Sequence, residues 1–325
     1  MKRALPIIGL VLVALLAVLW FSSRTAEHPA IIGIVQFVHQ PLLDETHRGL
    51  MAELTRLGLN DGKRYVVRTQ VADKSFDSSA QMTRQFLNDQ AVLLIAIATP
   101  AAQAAAAETA RTPIVFAAIT DPVAARLVNS IEHPGKNLTG TSNRWPFERQ
   151  VALLSQLLPT AKRIGAVWNP GEVNSQAAMA ALRPLLQQRG YELVEAPITT
   201  TADVALAARS VSHKVDAFLM IPDNTALAAT DVLVQIAIDT KKPLIGGDMD
   251  TVRRGSLGTY GYNYFELGQV TAQMVKEILI DGRKPDSMPV RYPPTSSLIL
   301  NQKSAARFAL SLPQTLIQEA KEVVK

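Results

Sequence analysis

Thr99 occupies the position in this sequence best suited to bind a ligand. It follows a continuous apolar run, Val92–Ile97, typical of a strand buried on both faces, and precedes Pro100 and an alanine-rich segment of high helix propensity. Proline favours the first helical position and threonine favours the N-cap, so we expect the amides of Ala101 and Ala102 to stay free at the helix N-terminus. A hydroxyl and free amides there can bind an anion, although a plain helix cap has the same chemistry.

The second half of the chain offers groups that would complete a site for a zwitterion. Asn174 and Ser175 open a predicted helix, whose N-terminus would face the first one across a cleft. Asp248 follows a buried strand and two glycines, which allow a close approach to the backbone, and we prefer it as the partner of a ligand ammonium. Asp223, with Asn224 beside it, ends the preceding strand and is the competing candidate. Either carboxylate could instead cap the following helix.

Few aromatic side chains are available to line such a cleft, because aromatic residues make up only 6% of the chain. Phe37 lies beyond the first strand and Trp145 lies beside the predicted hinge, where both could stack on an aromatic or heterocyclic ligand. Tyr260 is the third candidate. Trp168 lies within a strand, and we expect it in the core.

Three further polar residues follow predicted strands. Gln36 and Asn169 occupy equivalent strand ends in the two halves of the chain, as amides that orient a ligand would. Asp121 is a weaker candidate for ligand contact, because it precedes Pro122 and can instead shape a turn. The histidines and acidic residues show no metal-ligand spacing, so we predict no metal site and no cofactor.

Strands and helices alternate along the chain, which predicts an α/β fold with parallel, doubly wound sheets. Ligands of such sheets bind beyond the carboxyl ends of the strands, where the candidate residues and Thr120 lie. Three pairs of segments match in the same order, and they indicate two lobes of like topology: Ile32–Phe37 with Ile164–Asn169, Ile97–Ala102 with Ile221–Ala226, and Pro113–Val115 with Pro243–Ile245.

The predicted lobes exchange segments through a three-segment hinge. Residues 1–29 form a signal and linker, residues 30–142 and 257–293 the first lobe, and residues 143–256 and 294–325 the second lobe. We expect the first crossover near Gly140–Asn143, a return to the first lobe with the strand Leu257–Tyr262, and a third passage before Ser296. A hinge between two sheets makes a cleft that can open and close.

Composition describes a globular chain and excludes several functions. The 325 residues are 48% hydrophobic and 19% charged, without blocks of like charge. Because the charges are scattered, we find no nucleic-acid footprint. Cysteine is absent, which excludes disulfides, thiol nucleophiles and a lipid-modified N-terminal cysteine.

The N-terminus predicts export from the cytoplasm. Lys2 and Arg3 precede an apolar run from Leu5 to Phe21, which is the layout of a secretory signal. Arg24 and Phe21 stand where a cleavage site prefers small residues, and about 17 apolar residues is the short limit of a membrane-spanning helix. Cleavage to a periplasmic protein and retention as a membrane anchor therefore both stay open, and either leaves the globular part outside the cytoplasm.

An ordered set of segments resembles one family closely: IGIVQFVHQPLLD, IAIATPAAQAAAAE, PIVFAAITDPVAARLV, GKNLTGTSN, LLPTAKRIGAVWNPGEVNS and GGDMDTVRRGSLGTYGYNYFELG. It is the ABC-transporter substrate-binding protein family that includes tryptophan- and tyrosine-binding members, with a type I periplasmic-binding fold. The resemblance spans Ile31 to Val324. It implies capture of a solute by closure of the cleft and delivery to an ABC permease with a cytoplasmic ATPase, and it supports ligand roles at Thr99 and Ser175.

The sequence therefore predicts a monomeric solute-binding component of an ABC importer, with an amino acid, aromatic ones included, as the expected ligand. A membrane-anchored ectodomain that senses a ligand without transport is the alternative. An α/β enzyme is less favoured, because the chain lacks G-x-G-x-x-G, phosphate-loop and G-x-S-x-G motifs and a catalytic triad.

Overall fold

The computed structural model of this protein describes residues 28–293 and 296–325. All but the last two residues of the predicted signal and linker lie outside these ranges. In the described part, none of the helices is both long and apolar enough to span a bilayer.

The first lobe is built on one parallel sheet. Its elements in chain order are β1 (Ala30–Gln36), α1 (Pro41–Arg56), β2 (Tyr65–Val71), α2 (Phe76–Asn88), β3 (Leu93–Ile97), α3 (Thr99–Glu108), β4 (Ile114–Ile119) and β5 (Leu138–Ser142). The strands lie in the order β2-β1-β3-β4-β5, and every pair is parallel. β3 and β4 are buried along their whole length, which explains their continuous apolar sequence.

The second lobe repeats this arrangement. It contains α4 (Phe147–Leu157), β6 (Arg163–Trp168), α5 (Val173–Gln188), β7 (Glu192–Pro197), α6 (Val204–Ser212), β8 (Ala217–Leu219), α7 (Asn224–Ala228), α8 (Thr230–Thr240), β9 (Leu244–Ile245) and α9 (Met249–Arg254). Its parallel strands lie in the order β7-β6-β8-β9, which matches β2-β1-β3-β4 of the first lobe. The predicted duplication is confirmed, since the matched segments fall on β1 and β6, on the ends of β3 and β8, and on β4 and β9.

The rest of the chain alternates between the lobes. It forms β10 (Gly258–Gly261), α10 (Tyr264–Leu279), β11 (Ser297–Asn301), α11 (Gln302–Arg307), α12 (Gln314–Glu319) and β12 (Glu322–Val324). Helix α10 packs on α1 and on β4 in the first lobe, whereas β11 and β12 belong to the second lobe. Three segments thus connect the lobes, and the third includes Pro294 and Thr295, which lie outside the described residues.

The return to the first lobe comes later than the sequence predicts. The strand at Leu257–Tyr262 was expected in the first lobe, but β10 pairs antiparallel with β11, and the Leu257 amide donates to the Leu244 carbonyl of β9 at 2.7 Å. The chain therefore crosses after Gly261. The physical reason is that β9 and β11 offer β10 a hydrogen-bonding partner on each side.

Two glycines let α1 and α10 approach closely. A Cβ added at Gly49 would lie 2.0 Å from the Phe265 carbonyl oxygen, and one at Gly268 would lie 2.1 Å from the Thr46 carbonyl oxygen. This contact fixes the start of α10, and with it Tyr264, beside the beginning of α1 at the edge of the cleft.

Candidate functional site

A narrow cavity lies between the lobes, beyond the carboxyl ends of strands from both sheets. In this arrangement of the lobes it encloses about 10 Å³, which is room for about one water molecule. The first lobe, the first crossover and the second lobe all contribute to its lining: Leu42, Leu43, Thr99, Ala118, Thr120 and Tyr264, then Asn143, then Asn174, Pro222, Asn224 and Leu227.

The first anion-binding candidate lies at this cavity, but its helix begins one residue earlier than predicted. Thr99 is the first residue of α3 and makes no capping bond, because the N-cap is Ala98, with φ 81°. The Ala102 amide donates to the Ala98 carbonyl at 3.1 Å and is not free, which corrects the prediction. The amides of Thr99 and Ala101 have no backbone acceptor among the described residues.

Strained backbone accompanies the cavity on the first-lobe side. Ala98 and Ala118 have φ of 81° and 58°, a region that residues with a Cβ rarely adopt, at a cost of about 1–3 kcal/mol each. Ala98 directly precedes Thr99, and Ala118 lies two residues before Thr120. Both threonines line the cavity. The hydroxyls of Thr99 and Thr120 have no hydrogen-bond partner within residues 28–293 and 296–325, and both residues are buried.

Asp121 does not reach the cavity. Its carboxylate accepts hydrogen bonds from the amides of Val123 and Ala124, at 3.0 and 2.9 Å. This is the turn-shaping role that the sequence left open as the alternative.

The second-lobe side is organised by a carboxylate that the sequence analysis did not single out. Glu172, buried at the start of α5, accepts hydrogen bonds from the Asn224 amide and side chain, at 3.1 and 2.7 Å, and from the Thr225 amide and hydroxyl, at 3.0 and 2.7 Å. The Asn174 side chain donates to it at 3.1 Å. Glu172 thereby satisfies the free N-terminal amides of α7, which the helix itself cannot pair.

Asp223 is a second buried carboxylate in the same network. It caps α7 through the Ala226 amide at 2.7 Å, and it accepts from the Asn169 amide at 2.6 Å and from the Ser175 hydroxyl at 2.7 Å. Burial, and then the negative charge of Glu172, raise the pKa of Asp223 to about 7. Among the described residues, neither carboxylate forms an ion pair with a lysine, arginine or histidine.

Asn174 and Ser175 do not cap α5 as predicted. The helix begins at Val173 with Glu172 at the N-cap, so both residues lie in its first turn. Their side chains are drawn instead to acceptors that come from far along the chain, Asn174 to the Pro222 carbonyl at 3.0 Å and Ser175 to Asp223. Ser175 therefore supports the site from behind and does not line the cavity.

Two buried amide oxygens at the cavity have no partner in the described part of the chain. They are the Oδ1 atoms of Asn143 and Asn174. The Asn174 nitrogen is fixed by the acceptors around it, so its oxygen is the atom left free. The Asn143 nitrogen donates to the Tyr264 hydroxyl at 3.0 Å. An unpaired buried acceptor is unfavourable, and an N–H donor of a ligand would satisfy it.

Aromatic residues lie differently from the prediction. Trp145 is in the second-lobe core, with its ring perpendicular to that of Phe147 at 5.5 Å. Tyr260 is in the same core, donates to Glu319 at 2.8 Å and is covered by the Arg149 guanidinium at 3.9 Å. These two are excluded from the cavity because their strand and crossover face the helices of the second lobe. Trp168 is a core residue, as expected. Tyr264 is the aromatic residue that lines the cavity.

Phe37 lies at the cleft mouth, an open groove next to the cavity. The cleft mouth is lined from the first lobe by Phe37, Phe76 and Pro100 and from the second lobe by Asn169, Glu172 and Thr225. The Asn169 side chain donates to the Thr225 hydroxyl at 3.0 Å. Its counterpart Gln36 lies elsewhere and donates to the Val38 carbonyl and to Asp44, at 2.9 and 2.6 Å, which supports the turn before α1.

Asp248 lies in a second groove between the lobes, on the other side of Tyr264. It caps α9 by accepting from the Thr251 amide at 2.8 Å, the alternative that the sequence left open. Burial raises the pKa of Asp248 to about 6. Asp248 does not line the cavity, whereas Tyr264 lines both the cavity and this groove.

Sequence reasoning missed Asn143, Glu172 and Tyr264. Asn143 directly follows the last strand of the first lobe, and Tyr264 is the first residue of the helix after the second crossing. Their position at the predicted hinge could have identified both as candidates. Glu172 carried none, because its partners Asn224 and Thr225 are 52 and 53 residues away.

The cavity combines donors and acceptors on opposite sides. The first lobe offers free hydroxyls and backbone amides, which suit an anion. The second lobe and the first crossover offer free amide oxygens backed by two buried carboxylates, which suit a cation. The groups on the two sides are complementary to the two charges of a small zwitterion.

The chain is similar in sequence and fold to known substrate-binding proteins. A family model described as ABC transporter substrate binding protein matches residues 31–324. A tyrosine-binding protein of Clostridioides difficile (strain R20291) is 33% identical over 271 residues, which make up 83% of this chain and 78% of the relative.

Two solved structures are similar over nearly all of the described residues. The ABC domain in complex with L-Trp from Streptococcus pneumonia is 30% identical, with a TM-score of 0.88 over 91% of this chain and 100% of that one. A ligand-free, open substrate-binding protein with adhesive properties from Clostridium difficile is 32% identical, with a TM-score of 0.70 over 91% and 99% of the two chains.

Proposed function

The chain belongs to the ABC transporter substrate-binding protein family, and we propose that its ligand is an L-amino acid held in the cavity between the lobes. As a member it is a solute-binding component of an ABC transporter. The observation that carries the proposal concerns residues 28–293 and 296–325, in which donors of the first lobe and buried Asn143 and Asn174 oxygens opposite them have no partner.

The carboxylate of the amino acid would be bound by the hydroxyls of Thr99 and Thr120 and by the free amides at the start of α3. Its ammonium would donate to the oxygens of Asn143 and Asn174. The buried carboxylate of Glu172 behind Asn174 favours a cation at this end, because a low-dielectric environment strengthens its attraction. Asp248 is the alternative partner of the ligand ammonium, and it lies in the groove on the other side of Tyr264.

The names of the relatives support an aromatic amino acid as the ligand, since one is a tyrosine-binding protein and another is complexed with L-Trp. The room for a large side chain would come from the cleft mouth, where Phe37 and Phe76 lie. We further propose that the protein acts outside the cytoplasm with an ABC permease and its ATPase. The lobes would comprise residues 30–142 with 264–291 and residues 143–261 with 296–325.

Thermal-shift screening of the domain from residue 28 onward tests this function. Each proteinogenic L-amino acid is compared with its D-enantiomer and with sugars and carboxylic acids of similar size. We expect one or a few L-amino acids to raise the melting temperature, with calorimetric titration giving one site per chain. Stabilisation by sugars alone, or by no amino acid at all, would contradict the proposal.

A further inference from the structure

Gln40 stands at the N-cap of α1 but makes no capping bond there. Its side chain reaches across the cleft instead, and its Nε2 atom donates to the Asn224 Oδ1 atom of the second lobe at 3.2 Å. Both side chains are buried, with 4% and 8% exposed. Gln40 thus does not cap its own helix. Its side chain is placed instead for an interaction between the lobes.

Asn224 presents a fixed acceptor to this donor. Its backbone and side-chain nitrogens both donate to the Glu172 Oε2 atom. Because a carboxylate only accepts, the Asn224 amide cannot turn over, and its oxygen must point away from Glu172. The acceptor is therefore held in place by the second lobe alone, before the first lobe approaches.

The Gln40–Asn224 bond is unusual in its position. Away from the hinge pair Asn143–Tyr264, it is the one hydrogen bond or ion pair between side chains that joins the lobes in the described part of the chain. At 3.2 Å it is near the long end of normal N–H···O distances, so a small rotation about the hinge would break it.

We propose that Gln40 and Asn224 form a closure latch, a hydrogen bond made only when the lobes are closed, which sets how long a ligand is retained. This inference rests on the proposed function. The chain superposes more closely on the L-Trp complex than on the ligand-free open structure, at TM-scores of 0.88 and 0.70. Its lobe arrangement therefore corresponds to a closed form, in which the latch is made.

The latch also has a built-in limit. The Gln40 Oε1 atom is buried and has no partner in the described residues, so closure removes it from water without compensation. The hydrogen bond gained by Nε2 is thus offset by the water lost from Oε1. The latch biases closure only weakly, and a bound ligand must supply the rest, as a receptor that releases its cargo requires.

The test uses Gln40→Leu, which keeps the shape of the side chain and removes its hydrogen bonds, with Gln81→Leu on the exposed surface of α2 as the matched control. Cysteines introduced as Asp77→Cys and Ala202→Cys, on either side of the cleft mouth, accept a dye pair uniquely because the chain has no other cysteine. Inter-lobe distance is followed by single-molecule energy transfer, and release of L-tryptophan and L-tyrosine by stopped-flow fluorescence.

In Gln40→Leu the cost of burying Oε1 disappears, but closure then buries the Asn224 Oδ1 atom without its donor, so the net loss is one hydrogen bond. We expect the distance distribution to shift towards the open form, with and without amino acid, and ligand release to be about three- to tenfold faster. Association should change less than twofold. An unchanged distance distribution in Gln40→Leu would overturn the latch. If the unaltered protein binds no amino acid, the proposed function fails, while the distances without ligand still decide the latch.

Discussion

At the residue scale, the candidate site is marked by polar groups that have no partner in the described part of the chain. Most buried polar atoms in proteins have partners, so the oxygens of Asn143 and Asn174, which are buried and have no partner among the described residues, need an explanation. They line one cavity together with Thr99 and Thr120, whose hydroxyls also make no hydrogen bond in the described part of the chain. A ligand that supplies both donors and acceptors explains them together, and two predictions about single residues follow from this.

Thr99→Val removes one hydroxyl and keeps the shape of the side chain. We expect about a tenfold loss of affinity for the amino acid found by the screen, because the ligand carboxylate loses a charge-assisted donor. The measurement is calorimetric titration, and Thr55→Val on the exposed face of α1 serves as the control. Equal affinity in both variants would remove Thr99 from the site.

Asp223→Asn should flatten the pH dependence of stability between pH 5 and 8. In the folded protein the pKa of Asp223 is raised to about 7, whereas an aspartate in an unfolded chain has a pKa of 3.8. Its contribution to stability is therefore complete below pH 3.8 and is lost as the pH rises through 7, because the buried carboxyl must then ionise. The wild-type unfolding free energy should fall over this window.

Chemical denaturation at several pH values measures the slope for Asp223→Asn, whatever its baseline stability. Asp203→Asn is the control, because four hydrogen bonds from Thr199 and Thr200 lower the pKa of Asp203 to about 2 and keep it ionised throughout. A wild-type slope in Asp223→Asn would show that another group titrates.

At the element scale, the pairing of α1 with α10 holds the cavity wall in place. Both helices contribute lining residues, Leu42 and Leu43 from α1 and Tyr264 from α10. Their close approach at Gly49 and Gly268 leaves no room for a side chain. Glycine is needed here because the two backbones lie so close together. Replacing glycine by alanine usually stabilises a helix, but at these positions we expect it to destabilise the protein.

Gly268→Ala tests this contact. In an isolated helix the change would be stabilising by about 1 kcal/mol. Here the added Cβ would meet the Thr46 carbonyl oxygen at 2.1 Å, so we expect a loss of about 1–3 kcal/mol instead. Denaturant unfolding compares it with Gln269→Ala, the next residue of the same helix. A stabilised Gly268→Ala variant would show that the helices separate easily.

At the scale of the whole molecule, we expect binding and closure to be one event, because the proposed ligand-binding groups are divided between the lobes. A ligand can shift the open–closed equilibrium only as far as its affinity differs between the two forms. A zwitterion bound as proposed would contact both lobes in the closed form and one lobe in the open form. It would therefore favour closure, whereas a molecule that carries only one of the two charged groups would not.

Analogues that lack one charged group test this coupling. If L-tryptophan is a ligand, tryptamine lacks the carboxylate and indole-3-propionate lacks the ammonium, so each should engage one lobe. We expect L-tryptophan to reduce the radius of gyration in small-angle X-ray scattering, and neither analogue to do so at the same concentration. Full compaction by either analogue would mean that one lobe's contacts suffice.

The sequence by itself determined the two lobes, their like topology and the strand ends at which we expect a ligand. These features follow from local causes: apolar runs of strand length, turns marked by glycine and proline, and the rule that parallel strands need helical crossovers. Thr99 was found for the same reason, since its strand, turn and helix are consecutive in the chain. The placement of β10 was missed because its partners, Leu244 and β11, are separated from it by other elements.

Only the tertiary structure decided which polar groups face the cavity and which ones support it. Asp223, Ser175 and Asn169 are all polar residues near strand or helix ends, yet they bond one another, while Asn174 keeps a free oxygen. The sequence cannot make this distinction, because whether a polar group is satisfied depends on partners some fifty residues away that are brought near by packing. The proposed anion site could therefore be predicted from one local stretch, whereas the proposed cation side and closure latch depend on residues that only the meeting of the two lobes brings together.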